Sequence, residues 1–267
     1  DGVFALETTY APMVLMRAGV ETIVAGASAI YSLGALERLF RDAGLKIFRG
    51  ALTDKEGGSI RLFATHEENA DHDFDPWYER LARLWDEENA LALQTIQPYQ
   101  AFERRAEDAR AAFQTMLDEI RDRGERVFLI GAGATSTAIL HWAGPAQSAV
   151  SAAIEDGWRE GARLPSGQQI LNENEARVIE PDYFLAPASL KRDALERWRD
   201  AILLGAQVIV PTPAPHVVSK SNYAAELART LAVGDAAGEV ETLRAILAAA
   251  GRPRLVAVGV EKKAAAG

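Results

Sequence analysis

The sequence predicts an α/β fold in three parts, and three observations carry that reading. From residue 126 to residue 211, short apolar runs alternate with helical stretches, and the first run closes on Gly131-Ala132-Gly133. Residues 75 to 123 repeat apolar side chains at spacings of three and four, the period of amphipathic helices. Residues 3 to 65 read as strand, helix, strand, tight turn and strand.

The elements follow in order. Val3 to Glu7 is a short apolar strand. Ser32 to Ala43 carries Leu33, Leu36, Leu39 and Phe40 at helical spacing, with Ser32 as N-cap and Gly44 as stop. Leu45 to Leu52 is a strand, Asp54-Lys55-Glu56-Gly57-Gly58 a turn, and Ile60 to Thr65 a strand in which Ile60, Leu62 and Ala64 alternate against Arg61, Phe63 and Thr65. The acidic, polar stretch from His66 to Asp75 reads as a linker. Asp75-Pro76 starts a helix, because Asp caps well and Pro suits the first helical position. Helices are expected over roughly 77–94 and 98–123, the second with Phe102, Ala106, Ala109, Phe113, Met116 and Ile120 on one face. Then come a strand Arg126–Ile130, a helix to about Trp142, a strand Ala149–Glu155, a short helix Glu173–Val178, a strand Tyr183–Ala186, a helix Lys191–Leu204 and a strand Val208–Pro211. That order predicts a parallel, Rossmann-like sheet with right-handed crossovers and a ligand site at the carboxyl ends of its strands. The tail from about Ser219 reads as two alanine-rich helices and an apolar Leu255–Val260. Units are thus expected at 1–66, 67–124, 125–218 and 219–267.

Composition bounds the function. The chain has 267 residues, 48% of them hydrophobic, which suffices for one large domain or two modest ones. A net charge of −9 argues against a nucleic-acid partner, since duplex binding rests on phosphate neutralisation. A local nest of amides still holds phosphate in an acidic protein. The absence of cysteine excludes disulfides and cysteine-zinc sites and suits a reducing, cytoplasmic setting. No apolar run reaches the ~20 residues of a membrane span, so no membrane partner is expected. Asp1 stands directly ahead of apolar Val3-Phe4-Ala5-Leu6, and a boundary inside a fold is expected there.

Several segments resemble one family. Gly2-Val3-Phe4, the run Ser32-Leu33-Gly34-Ala35-Leu36-Glu37-Arg38-Leu39-Phe40 and Gly57-Gly58-Ser59-Ile60-Arg61 are similar to sugar C-methyltransferases, which alkylate keto-deoxysugars carried on a nucleotide. Gly131-Ala132-Gly133-Ala134, Ile139-Leu140-His141-Trp142-Ala143-Gly144, Leu164-Pro165, Pro181-Asp182-Tyr183 and Val210-Pro211-Thr212-Pro213 continue the likeness in order. The resemblance implies that residues 1–66 close a class I methyltransferase sheet, with S-adenosylmethionine as cofactor. It places the zinc-binding region and the cofactor loop ahead of residue 1, to be supplied by an N-terminal region or a second chain. The family's Tyr-His-Glu-His run corresponds to Val24-Ala25-Gly26-Ala27, which offers no titratable base for carbanion formation. No catalytic residue is therefore carried over.

The candidate binding residues are few. Gly131, Gly133, Thr135 and Ser136 follow a strand and open a helix, a setting that favours an anion through free amides and the helix dipole. The alternative is a tight connection that binds nothing. The resemblance implies the diphosphate of a nucleotide-sugar, with Thr135 where the family has lysine. Glu155 and Asp156 close the second strand, where an acid accepts from ribose hydroxyls. Gly57, Gly58 and Arg61 form either a plain hairpin or, by resemblance, part of the sugar site. His216 follows a proline-rich strand end at the same edge. Tyr10 and Tyr31 are the hydroxyls nearest the altered run, and read first as packing residues. His66, Glu67, Glu68, Asp71, His72 and Asp73 lack the spacing of a metal site, so no metal is expected. His141 and the tryptophans Trp77, Trp85 and Trp142 read as packing groups. Three functions remain open: the substrate-binding portion of a C-methyltransferase, a non-catalytic scaffold, and an NAD-type oxidoreductase. The last lacks the third glycine of its fingerprint.

Overall fold

A computed structural model describes residues 2–17, 19–24, 29–53, 58–72 and 75–231. They form a mixed α/β fold with two sheets, one three-stranded and one six-stranded.

The first sheet has the order β1-β3-β2, from β1 (Phe4–Thr9), β2 (Leu45–Thr53) and β3 (Ser59–His66). Both pairings are antiparallel, so β1 and β2 run the same way with β3 between them. This is the closing trio that the resemblance implies. Helix α3 (Leu33–Asp42) starts at the expected cap, where the Ser32 hydroxyl accepts from the Ala35 amide at 3.1 Å. Helix α4 (Asp75–Ala90) lies on β2 and brings Leu81 and Leu84 against Leu36, Phe40, Ile47 and Leu62.

The expected alternation along β3 is corrected here. Phe63 and Thr65 are as buried as Ile60, Leu62 and Ala64, because the sheet is covered on both faces. On the second face Phe63 packs on Phe48, and Arg49 places its guanidinium 5.8 Å from the Phe63 ring and 5.1 Å from Trp77. His72 stacks on Phe48 at 4.7 Å and is buried, so the polar stretch after β3 is partly core and not a solvated linker throughout.

A buried carboxylate ties α4 to α3. Glu88 accepts from the Leu33 amide at 2.6 Å, the Gly34 amide at 2.8 Å and the Tyr10 hydroxyl at 2.9 Å. It thereby satisfies two of the orphan donors at the start of α3. Burial first, and then the Glu88 charge, push the Tyr10 phenol well above its ordinary range. Tyr10 is a buried donor, not a base.

Two short helices missed by sequence reasoning, α1 (Ala11–Arg17) and α2 (Val20–Val24), lead away from this sheet. Arg105 of the long helix α5 (Gln97–Asp122) donates to the Leu15 carbonyl at 2.7 Å. Val20 packs in the core with Phe113, Leu117, Ile139 and Leu140.

That core belongs to the second sheet, whose order is β6-β5-β4-β7-β8-β9. Strands β4 (Val127–Ile130), β5 (Val150–Ile154), β6 (Gln169–Leu171), β7 (Tyr183–Leu185) and β8 (Gln207–Val210) are parallel, as expected. Strand β9 (His216–Val218) is antiparallel to β8. Helices α5 and α6 (Ala134–Trp142) cover one face. The other is covered by α7 (Glu173–Ile179), α8 (Lys191–Arg197), α9 (Arg199–Leu204) and α10 (Tyr223–Leu231). The single helix expected over Lys191–Leu204 is broken at Trp198. Its indole is buried against Phe184 at 4.4 Å, and Arg177 takes the Arg197 carbonyl at 3.0 Å, a bond that competes with the helical ladder. Of the tail, α10 is described; a second alanine-rich helix and Leu255–Val260 fall outside the described residues.

Replacing Glu88 with Ala leaves two buried donors and the part-buried Gly34 amide without their acceptor. A loss of about 2–4 kcal/mol is expected in denaturant unfolding, against about 1 kcal/mol for Tyr10→Phe. Equal losses for the two variants would remove Glu88 from its role as the link.

Candidate functional site

Strands β5 and β6 lie on one side of β4, and β7, β8 and β9 on the other. The chain therefore reverses direction across the sheet between β4 and β7, and a crevice opens at their carboxyl ends. The Gly131 turn sits at that point.

Its backbone is fixed by sterics. The Gly131 amide extends the ladder by donating to the Ile154 carbonyl at 2.9 Å, and the chain then turns with φ +83°. A Cβ here would stand 2.6 Å from Ser136 Oγ and 3.1 Å from a Leu190 methyl, so only glycine fits. Ser136 is fully buried and donates to the Ile130 carbonyl at 2.7 Å. Its hydroxyl is spent on closing the turn and is not available to a ligand. Gly133 differs: its φ is −75°, it is exposed, and a Cβ would meet nothing within 4 Å. The first bond inside α6 runs from the Thr137 amide to the Gly133 carbonyl at 3.0 Å. The amides of Ala134, Thr135 and Ser136 thus precede the helical ladder and have no partner within it. Thr135 is half-buried in that first turn.

The two acids after β5 separate in role. Glu155 Oε2 accepts from the Ala132 amide at 3.1 Å, which places its carboxylate at the turn itself. Asp156 is committed elsewhere: it accepts from the Glu173 amide at 3.1 Å and pairs with Arg197. The Glu173 amide and then Arg197 hold its carboxyl below the usual carboxylate range. Arg197 also meets Glu173, and Arg177 joins Glu173 to Asp200. Asp156 thereby anchors the start of α7.

The remaining expected residues do not converge on this turn. His216 starts β9; its Nδ1 lies 2.9 Å from the Ala214 carbonyl and its Nε2 3.7 Å from Glu226. Burial would raise the Glu226 carboxyl, but Lys191 at 2.6 Å, Arg229 and His216 outweigh it and hold the group low. Gly58 and Arg61 belong to the three-stranded sheet. Gly58 has φ +138° with Met13 against it, and Arg61 pairs with Glu7 at 3.0 Å. Gly57, and Ala25 to Ala27 of the altered run, lie outside the described residues; Val24 ends α2. Among the described residues no group of three or more metal-ligating side chains converges, and no helix is long and apolar enough to cross a membrane. An open cleft of about 450 Å³ beside Tyr99, Phe102 and Trp142 lies at the far end of α6, one helix length from Gly133.

Sequence reasoning missed Glu21. This carboxylate of α2 is 2% exposed and stands at the same crevice. The Thr212 hydroxyl, just after β8, lies 3.3 and 3.5 Å from its two oxygens. Burial pushes its carboxyl above the ordinary range, against those hydrogen bonds. A five-residue helix leaves too short a period to be read from sequence.

With this geometry in place, likeness to known proteins becomes informative. The family described as C-methyltransferase C-terminal domain matches residues 54–213, from the residue after β2 to the loop after β8. This chain belongs to that family. A relative, the C-methyltransferase NovU of Streptomyces niveus, is 28% identical over 222 residues, which cover 82% of this chain and 52% of the relative. The chain thus spans about half the length of the curated C-methyltransferase it matches. The family match takes in the Gly131 turn, Glu155 and Thr212, and ends one residue past Thr212.

The two glycines of the turn are expected to respond differently. Gly131→Ala should cost about 1–3 kcal/mol through backbone strain and the Ser136 clash. Gly133→Ala should stay within about 0.5 kcal/mol. Thermal unfolding of both variants checks this, and a tolerated Gly131→Ala would show that the turn relaxes.

Proposed function

We propose that this chain is the substrate-binding portion of a C-methyltransferase that moves a methyl group from S-adenosylmethionine to a carbon of a nucleotide-linked sugar or similar small molecule. The observation that carries this reading is the Gly131 turn: three amides ahead of the α6 ladder, beside an exposed Gly133 with open space above it, at the switch point of a parallel sheet. Such a turn suits a diphosphate. Glu155, already at the turn, is placed to accept from a ribose hydroxyl. Thr135 and Gly133 complete the proposed contact set, while Ser136 supports the turn from beneath.

S-adenosylmethionine, when bound, supplies an electrophilic methyl group. Residues 4–66 fit that cofactor's fold through the β1-β3-β2 order, in which β1 has no further strand beside it among the described residues. We place the cofactor loop in a region contributed from beyond that edge, by an N-terminal segment or a second chain. The base is expected there too, since Val24-Ala25-Gly26-Ala27 carries none. The same substitution favours a second reading, in which the chain binds the nucleotide-sugar and performs no chemistry itself.

Binding should be modest. Exposed helix-end dipoles contribute only ~0.3–1 kcal/mol, the lysine of the family is Thr135 here, and the net charge is −9. Calorimetry with a thymidine-diphosphate sugar should give a dissociation constant in the micromolar range or weaker, without metal dependence. Gly133→Val should weaken it at least about tenfold while leaving cooperative unfolding intact, because a Cβ at residue 133 meets no protein atom within 4 Å. Equal affinity in Gly133→Val, or no heat with wild type, would leave the turn as a structural connection.

A further inference from the structure

Glu21 is a carboxylate buried where two units meet. Val20, the residue before it, is seated in the core with α5 and α6, and α2 packs along α6. Glu21 itself reaches the loop that follows β8, through the Thr212 hydroxyl. That loop borders the crevice next to Gly131, whose turn is touched by Leu190 of the loop after β7. Helix α2 ends at Val24, so the stretch that replaces the family's acid–base run begins at this point.

We propose that Glu21 is a positioning residue: its carboxyl group, held by the Thr212 hydroxyl, seats α2 on the carboxyl edge of the six-stranded sheet beside the Gly131 crevice. The hydrogen-bond partner of Glu21 among the described residues, the Thr212 hydroxyl, is neutral. Helix α6 carries only His141, exposed in its last turn. Helix α1 ends in Arg17, Arg105 of α5 is on the Leu15 carbonyl, Lys191 is on Glu226, and Glu155 is on the Ala132 amide. None of these charges is among the groups acting on Glu21, so burial is not offset by a cation.

A proton linkage follows. A carboxyl whose folded pKa is raised keeps its proton when the unfolded chain has lost it. Its contribution is fully present below the unfolded value and is lost as pH rises through the raised folded value. The seat should therefore loosen as pH rises above the ordinary carboxylate range, and a neutral isostere should not respond.

Hydrogen exchange of the full chain, read by mass spectrometry on the peptide spanning residues 19–24, tests this directly. Glu21→Ala should exchange about tenfold faster than wild type there, with residues 127–130 unchanged. Glu21→Gln should restore protection at every pH. After correction for intrinsic exchange, wild type should open with rising pH and Glu21→Gln should not. Should Glu21→Ala lose protection at 127–130 as well, Thr212→Val decides, and is expected to loosen α2 alone. Wild-type protection that is flat with pH, or Glu21→Gln as open as Glu21→Ala, would overturn the proposal. Its functional meaning rests on a ligand at the Gly131 turn, and that is read separately: absence of nucleotide-sugar binding sinks the ligand reading and leaves the exchange result standing.

Discussion

The Ser136 hydroxyl lies beneath the Gly131 turn, bonded to the Ile130 carbonyl, in the space that a side chain at residue 131 would need. That contact dictates a left-handed backbone at Gly131 and hence the point at which α6 starts. Because α6 starts there, the amides of residues 134 to 136 stand ahead of its ladder at the carboxyl end of β4. Glu155 reaches Ala132 for the same reason, since β5 ends alongside β4. The site is a consequence of how one apolar strand is allowed to end.

The two sheets are not independent in this chain. Glu88 fastens the helical segment to α3 on one side, and α5 carries the apolar stripe that covers β4 on the other. Helices α1 and α2 complete the circuit, leaving the small sheet at Tyr10 and arriving at Thr212 through Glu21. A change in how α2 sits would be felt at the crevice, because the loop it touches, after β8, borders it. The three-stranded and six-stranded sheets thus share buried contacts rather than a loose tether.

The sequence revealed much of this and hid a definable part. Long periodic helices such as α5, the capped start of α3 and the alternating strands of the second half are legible, since each repeats its period several times. Strands β6 and β9 are three residues long and α2 is five, too short to show any period. Trp198 breaks a helix that its neighbours favour, because a buried indole and Arg177 outweigh local propensity. At the site, Gly131 and Glu155 are legible from their strand ends. Ser136 and Asp156 have the right residue type in the right place, yet internal hydrogen bonds claim both. Glu21 left no trace, since Thr212 is 191 residues away in sequence and carries no charge.

The central claim is that the free amides of the Gly131 turn receive the anionic part of a nucleotide ligand. Amide chemical shifts of the labelled chain during titration with a thymidine-diphosphate sugar test it most directly. The account predicts progressive shifts centred on Ala132, Ala134 and Thr135, with Glu155 moving as its bond to Ala132 is exchanged. Shifts confined to the cleft around Tyr99 and Trp142, or none at the turn at saturating ligand, would contradict it.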